Sequence, residues 1–231
     1  MAKTNIGLVE YAKAQLGLPY WYGTFGQKST EALYKSKKKQ YPKYYTANDF
    51  SKQYGKKVHD CVGLIKGYLW CDSAADTTPT YNSKQDVSAN GMLKACKKKG
   101  KIKTIPEVAG VLVFFDGHVG VYIGDGYVVE AKGHAYGVVK TKLSSRPWTD
   151  WGYCPWIEYK AEKVATTKQF FKCCDSRINS IVDALESIGE YSGFSHRMRI
   201  ASVNGIKNYI GTANQNIKLL DLLKQGKLIK P

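Results

Sequence analysis

Between Val111 and Ala131 short apolar runs alternate with glycine-bearing turns, and this stretch constrains the fold more than any other. Val111-Leu112-Val113-Phe114-Phe115 is followed by Asp116-Gly117, then His118 to Ile123, then Gly124-Asp125-Gly126, then Tyr127 to Ala131. Asp-Gly and Gly-Asp-Gly supply the positive-φ positions that tight hairpin turns require. Three antiparallel strands are therefore predicted, with Gly137–Lys140 and Tyr153–Tyr159 as further strands. Glu130 interrupts the apolar run Tyr127-Val128-Val129-Glu130-Ala131. A carboxylate inside such a strand needs a partner. The imidazole of His118, at the start of the neighbouring strand, is one.

Upstream the periodicity is helical. Thr4 is a candidate N-cap for a helix with Ile6, Val9 and Leu16 that closes at Gly17 and Pro19. Residues 27–57 are rich in Lys, Tyr and Ser with weak periodicity, and are predicted to be a surface insertion with short helical pieces. Val62, Ile65 and Leu69, with Leu64 and Tyr68, have helical spacing, so residues 61–70 read as a buried helix beginning at Cys61. A further short helix is predicted around 86–98. Helices followed by a small antiparallel sheet make an α+β arrangement.

Residues 161–176 read as a polar linker between a domain at 1–160 and a small all-α module at 177–231. In that module Ile178, Ile181, Val182, Leu185 and Ile188 form an apolar stripe ending at Gly189. Ser195 and Thr212 are candidate caps of two more helices. At roughly 60 residues the module is near the lower size for independent folding.

The chain carries 35 Lys+Arg against 19 Asp+Glu, a formal charge of +16. From residue 168 on there are 10 basic and 5 acidic residues, so the module holds +5 and the first 167 residues +11. Such a charge attracts polyanions without saying which. No zinc-finger spacing, aromatic RNP pattern or long basic helix accompanies the lysine clusters at 35–39 and 97–103, so nucleic acid is the less favoured partner. The hydrophobic fraction of 43% supports a packed core, and no apolar run is long enough to span a membrane. Met1 to Asn5 lead into an amphipathic stretch with no apolar h-region, so no secretory signal is expected. The six cysteines fit three disulfides by number. Irregular spacing and the missing export signal favour free thiols, five of them as buried apolar residues.

Cys61 differs from the other five. It sits where a loop enters a helix, in His59-Asp60-Cys61-Val62-Gly63-Leu64. The positive end of a helix dipole is expected to lower the pKa of a thiol there. Cys61 as nucleophile, His118 as base and Glu130 as the group orienting the imidazole satisfy the logic of a catalytic triad. His134 is the rival third member. His59 is expected in a loop or capping role and His196 at the surface. With no paired ligand motif, neither metal nor cofactor is expected.

Tyr20-Trp21-Tyr22-Gly23, Asp60-Cys61-x-Gly63-Leu64 and Gly117-His118-Val119-Gly120-Val121-Tyr122-Ile123-Gly124, in that order, resemble the NlpC-type papain-like cell-wall cysteine peptidases, with the CHAP amidases close by. The resemblance implies a papain-like domain that hydrolyses amide bonds of peptidoglycan stems, as a D-glutamyl–diamino acid endopeptidase, with an N-acetylmuramoyl-L-alanine amidase of CHAP type as the alternative. It implies Cys61, His118 and Glu130 as the catalytic residues, Tyr22 lining the site, and Asp60 receiving the free amino terminus of a trimmed stem. Two positions depart from the NlpC pattern. Val62 replaces the usual Ser, and Glu130 stands where His is common, as in CHAP enzymes. The runs Ser180–Gly189, Ile200–Ile206 and Leu219–Leu228 resemble the wall-targeting segments of endolysins from clostridial phages and prophages. That implies a Gram-positive wall with its anionic polymers as partner and, with no export signal expected, a protein held in the host cytoplasm until lysis and then at the cell wall. The alternatives are a helical module for self-association and, in a different class, a basic nucleic-acid-binding phage protein without catalysis.

Overall fold

The computed structural model describes residues 2–160 and 169–231, and the chain divides into two units, Met1–Lys160 and Ala161–Pro231. In the first unit Thr4 accepts the backbone N–H of Gly7 and caps α1 (Asn5–Ala14). Then come β1 (Phe25–Lys28), α2 (Glu31–Gln40), β2 (Lys57–His59), α3 (Cys61–Trp70) and α4 (Ala89–Ala95). The sheet strands follow: β3 (Lys99–Lys101), β4 (Leu112–Phe115), β5 (His118–Gly124), β6 (Tyr127–Gly133), β7 (Gly137–Lys142) and β8 (Asp150–Gly152). They form one six-stranded antiparallel sheet in the order β3-β8-β4-β5-β6-β7, while β1 and β2 pair separately.

Strand alternation covers both faces of this sheet. Val119, Val121, Val129 and Ala131 pack with Leu8 and Ala12 of α1 and with Leu64 and Ile65 of α3. Val113, Tyr122 and Val128 pack with Trp148 and Trp151 in a second cluster. Each fully buried aliphatic side chain contributes about 1.5–3 kcal/mol of transfer free energy. The helix that begins at Cys61 is thus pinned to the strands that carry His118 and Glu130.

Several expectations are corrected. Tyr153–Tyr159 is not a strand. Its rings stack at 4.0 Å, and the Tyr159 hydroxyl accepts from the Cys154 N–H and donates to the Gly110 carbonyl. The sheet edge is built instead by β8 and by β3, which lies in the lysine cluster at 97–103. Residues 27–57 are more than a surface insertion. Tyr45, Phe50 and Val58 close over Trp21 in an aromatic core of their own, assembled from positions with no common period.

The second unit has α5 (Ile181–Ser187), α6 (Phe194–Val203) and α7 (Ala213–Lys224) around Leu185, Ile200, Leu219 and Leu223. The cap of α6 is Gly193, not Ser195, which lies inside the first turn. Thr212 caps α7 with a full capping box to Gln215. Part of the expected linker, residues 161–168, lies outside the described residues, while Phe171 further along it is buried. His196 is buried beside Phe171 and Tyr191 rather than at the surface. Cys71, Cys96 and Cys154 are buried as expected, but Cys173 is exposed and Cys174 half-buried. Among the described residues no helix is long and apolar enough to cross a membrane.

Candidate active site

Asp60 sets the start of α3. Its Oδ1 accepts the Gly63 N–H at 2.6 Å and its Oδ2 the Gly23 N–H at 2.8 Å, so one carboxylate caps the helix and ties the aromatic loop to it. Only glycine fits at position 63, because a Cβ there would lie 1.8 Å from the Thr24 carbonyl oxygen. Burial pushes the Asp60 carboxyl up against the pull of these two N–H groups. Both oxygens are therefore committed to the backbone. Replacing Asp60 by Ala should cost about 0.5–2 kcal/mol for the lost cap, and more for the unpartnered Gly23 N–H. Urea unfolding would show the cost as a lower midpoint, and an unchanged midpoint would exclude this structural role.

Cys61 is the first residue of α3 and is buried. Its Sγ lies 3.9 Å from the Gly117 carbonyl oxygen, and the Val119 N–H also reaches it. The thiol thus abuts the backbone on both sides of His118. The expectation of a depressed pKa is corrected. Burial first, then the Asp60 carboxylate, push the thiol up to about 12, outweighing the N–H groups of Val119, Val62 and Cys61. Desolvation removes more than the helix terminus supplies. Burial thus favours the neutral thiol at Cys61 over the thiolate.

His118 and Glu130 meet across β5 and β6, with Nε2 and Oε2 2.8 Å apart. The His118 ring stacks on Phe115 at 4.8 Å and on Trp148 at 5.7 Å, so packing as well as the hydrogen bond holds its plane. Glu130 has no exposed surface. It also accepts from Thr141 Oγ1 at 2.8 Å and from Arg146, whose Nε lies 3.0 and 3.2 Å from its two oxygens and whose second guanidinium contact is 3.1 Å. Burial alone would raise this carboxyl. The hydrogen bonds of His118 and Thr141 and the charge of Arg146 more than offset it and hold the group below the usual range.

The other candidates lie elsewhere or serve differently. His134 pairs with Asp49 at 2.6 Å and packs on Phe50, while Glu130 holds His118. His59 is neither loop nor cap. It is a fully buried residue of β2 whose Nε2 meets the Tyr11 hydroxyl at 3.1 Å, and burial lowers its pKa to about 3. Tyr22 stacks on Tyr44 at 3.7 Å and lines a cleft of about 570 Å³ with Asp60 and Cys61. Burial, then the Tyr44 hydroxyl, push the Tyr22 phenol up to about 12.

Sequence reasoning missed Thr141, Arg146 and Trp148. Arg146 had a legible signal, being the single arginine among the first 167 residues of a lysine-rich chain. A planar guanidinium grips a carboxylate with two N–H groups while lying on aromatic faces, which an ammonium cannot do. Here it lies 5.2 Å from the Phe115 ring centroid.

Among solved structures the chain is similar to an NlpC protein of Trichomonas vaginalis at 16% identity and a TM-score of 0.42, covering 68% of this chain and 46% of that one. It is also similar to the P60 domain of an antigen from M. avium subspecies paratuberculosis, at 19% identity and a TM-score of 0.40, covering 67% of this chain and 98% of that one. For the peptidoglycan hydrolase RipB of Mycobacterium tuberculosis the values are 20% and 0.38, with 67% of each chain covered. The chain thus spans less than half of the Trichomonas protein. No curated protein sequence matches it. The family profile described as NlpC/P60 family matches residues 17–156. That span takes in the aromatic loop at Tyr22, the capped thiol at Cys61 and the His118–Glu130 pair together, and the chain belongs to the NlpC/P60 family.

Proposed function

We propose that this chain hydrolyses an amide bond of the peptidoglycan stem peptide, between a D-glutamyl residue and a diamino acid, by acyl transfer through Cys61, His118 and Glu130. The observation that carries this reading is the 2.8 Å His118–Glu130 hydrogen bond beside a thiol that touches the backbone flanking His118. Glu130 takes Nε2, which leaves Nδ1 as the nitrogen to receive the thiol proton. As the proton leaves, sulfur attacks the carbonyl carbon and backbone N–H groups at the start of α3 hold the oxyanion. His118 then protonates the departing amine, and afterwards takes a proton from the water that releases the acyl group. Glu130 fixes the ring and balances its charge.

Tyr22 and Asp60 wall the cleft in this reading. The net charge of +16 draws the protein to anionic polymers of a Gram-positive wall. The second unit, by its resemblance to endolysin targeting segments, adds wall affinity through the tether, and the whole acts as a phage-type lysin. Mass spectrometry of muropeptides from digested walls tests the bond. A new amino terminus on the diamino acid is expected. Release of intact stems from muramic acid would instead establish the amidase, the assignment to which a carboxylate in the third position leans.

A further inference from the structure

The cleft beside Cys61 has a charged wall that the chemistry above does not use, formed by Lys37, Lys66 and Asp86. Lys66 of α3 is paired with Asp86 at 2.5 Å, and the Tyr81 hydroxyl donates to the other oxygen of the same carboxylate at 2.9 Å. That cation is compensated. Lys37, on α2, is not. Among the described residues its ammonium has no carboxylate at ion-pair distance. It has only a 3.4 Å contact to Gln40 Oε1 and the Tyr41 ring at 5.7 Å. It is half-buried where its neighbours Lys38 and Lys39 are exposed. The charges of Asp60 and Asp86 draw on it and that of Lys66 opposes it, so all four groups share one region.

A partly desolvated ammonium without a counter-ion is costly, and an anion brought into the cleft offsets that cost. The anion must also tolerate the carboxylates of Asp60 and Asp86 close by, which favours a single negative charge over a phosphate. We propose that Lys37 is the anchor for a carboxylate carried by the residue next to the scissile amide, making α2 a specificity element of the cleft. This rests on the hydrolase reading for the identity of the peptide, and on the cleft alone for the anchor.

The probes are L-alanyl-γ-D-glutamyl-L-lysine and the same peptide with its glutamyl α-carboxylate converted to the carboxamide. Calorimetric titration of the full chain carrying Cys61→Ala reads binding without turnover. The free carboxylate is expected to bind about tenfold tighter, the worth of one charge-assisted hydrogen bond. Adding Lys37→Met or Lys37→Gln should abolish the preference, and adding Lys38→Met should keep it. A preference that survives loss of Lys37, no preference in the Lys37-containing protein, or no binding of either peptide overturns the anchor. Hydrolysis by the unaltered protein is followed separately. A preference without any hydrolysis supports the anchor and removes the hydrolase reading.

Discussion

Cys61→Ala is expected to lower hydrolysis of purified cell walls by about 10⁴-fold or more, and His118→Ala to do the same, because members of a catalytic triad act as a unit. Turbidity loss of a wall suspension is the measurement. Clearing by both variants at the rate of the unaltered protein would sink the catalytic assignment, whereas clearing by none of the three proteins would favour the basic nucleic-acid-binding alternative. The thiol is small, but His118 packs on Phe115 and Trp148 and bonds Glu130, so a matched circular dichroism spectrum checks that both variants fold. A second readout follows from the burial of the thiol. With its pKa pushed up to about 12 by desolvation and Asp60, Cys61 should be alkylated slowly by iodoacetamide at neutral pH, and faster as pH rises. Rapid alkylation that is flat across pH 6–9 would mean a resting thiolate.

Removing the guanidinium partner of Glu130 is expected to have the largest effect on stability. Arg146→Met leaves a carboxylate with no exposed surface and without its cation, at a cost of about 3–5 kcal/mol. Urea unfolding at pH 7 would read this as a marked fall in midpoint, and a change below 1 kcal/mol would show that Arg146 is dispensable. The pH dependence has a definite sign. Glu130 is held below the usual carboxylate range, so its contribution is fully present above the unfolded value of about 4.3 and is lost as pH falls through the lower folded value. In Arg146→Met the pull of the cation is gone and the carboxyl protonates more readily. The stability gap between the two proteins should therefore narrow as pH falls, from the higher folded value of the variant down through the lowered folded value of the unaltered protein. Arg146→Lys should recover part of the charge but not the two-pronged grip.

These two experiments separate what could be read along the chain from what could not. The three strands after Pro106, the helix that begins at Cys61, and the pairing of His118 with Glu130 follow from local rules, whereas Asp60 as the cap of that helix did not. Turn glycines place hairpins, an N-cap residue starts a helix, and an acid in an apolar strand demands a neighbour across the hairpin. Each needs only residues close in sequence, or on adjacent strands joined by a tight turn. By contrast, Tyr153–Tyr159 has the residue types of a strand and is held by ring stacking instead. The aromatic cluster around Trp21 draws on residues more than 30 positions apart with no shared period.

By itself the sequence determined the hairpins, a thiol at a helix start and the order of Cys61, His118 and Glu130, because periodicity and turn chemistry are properties of short segments. Only the tertiary structure decided how those groups are tuned. Burial beside Asp60 reverses the effect expected of the helix terminus on Cys61, and Arg146 reaches from a later loop to hold Glu130 charged. Desolvation and ion pairing depend on what the whole chain packs around a group, and no window of neighbouring residues contains that information.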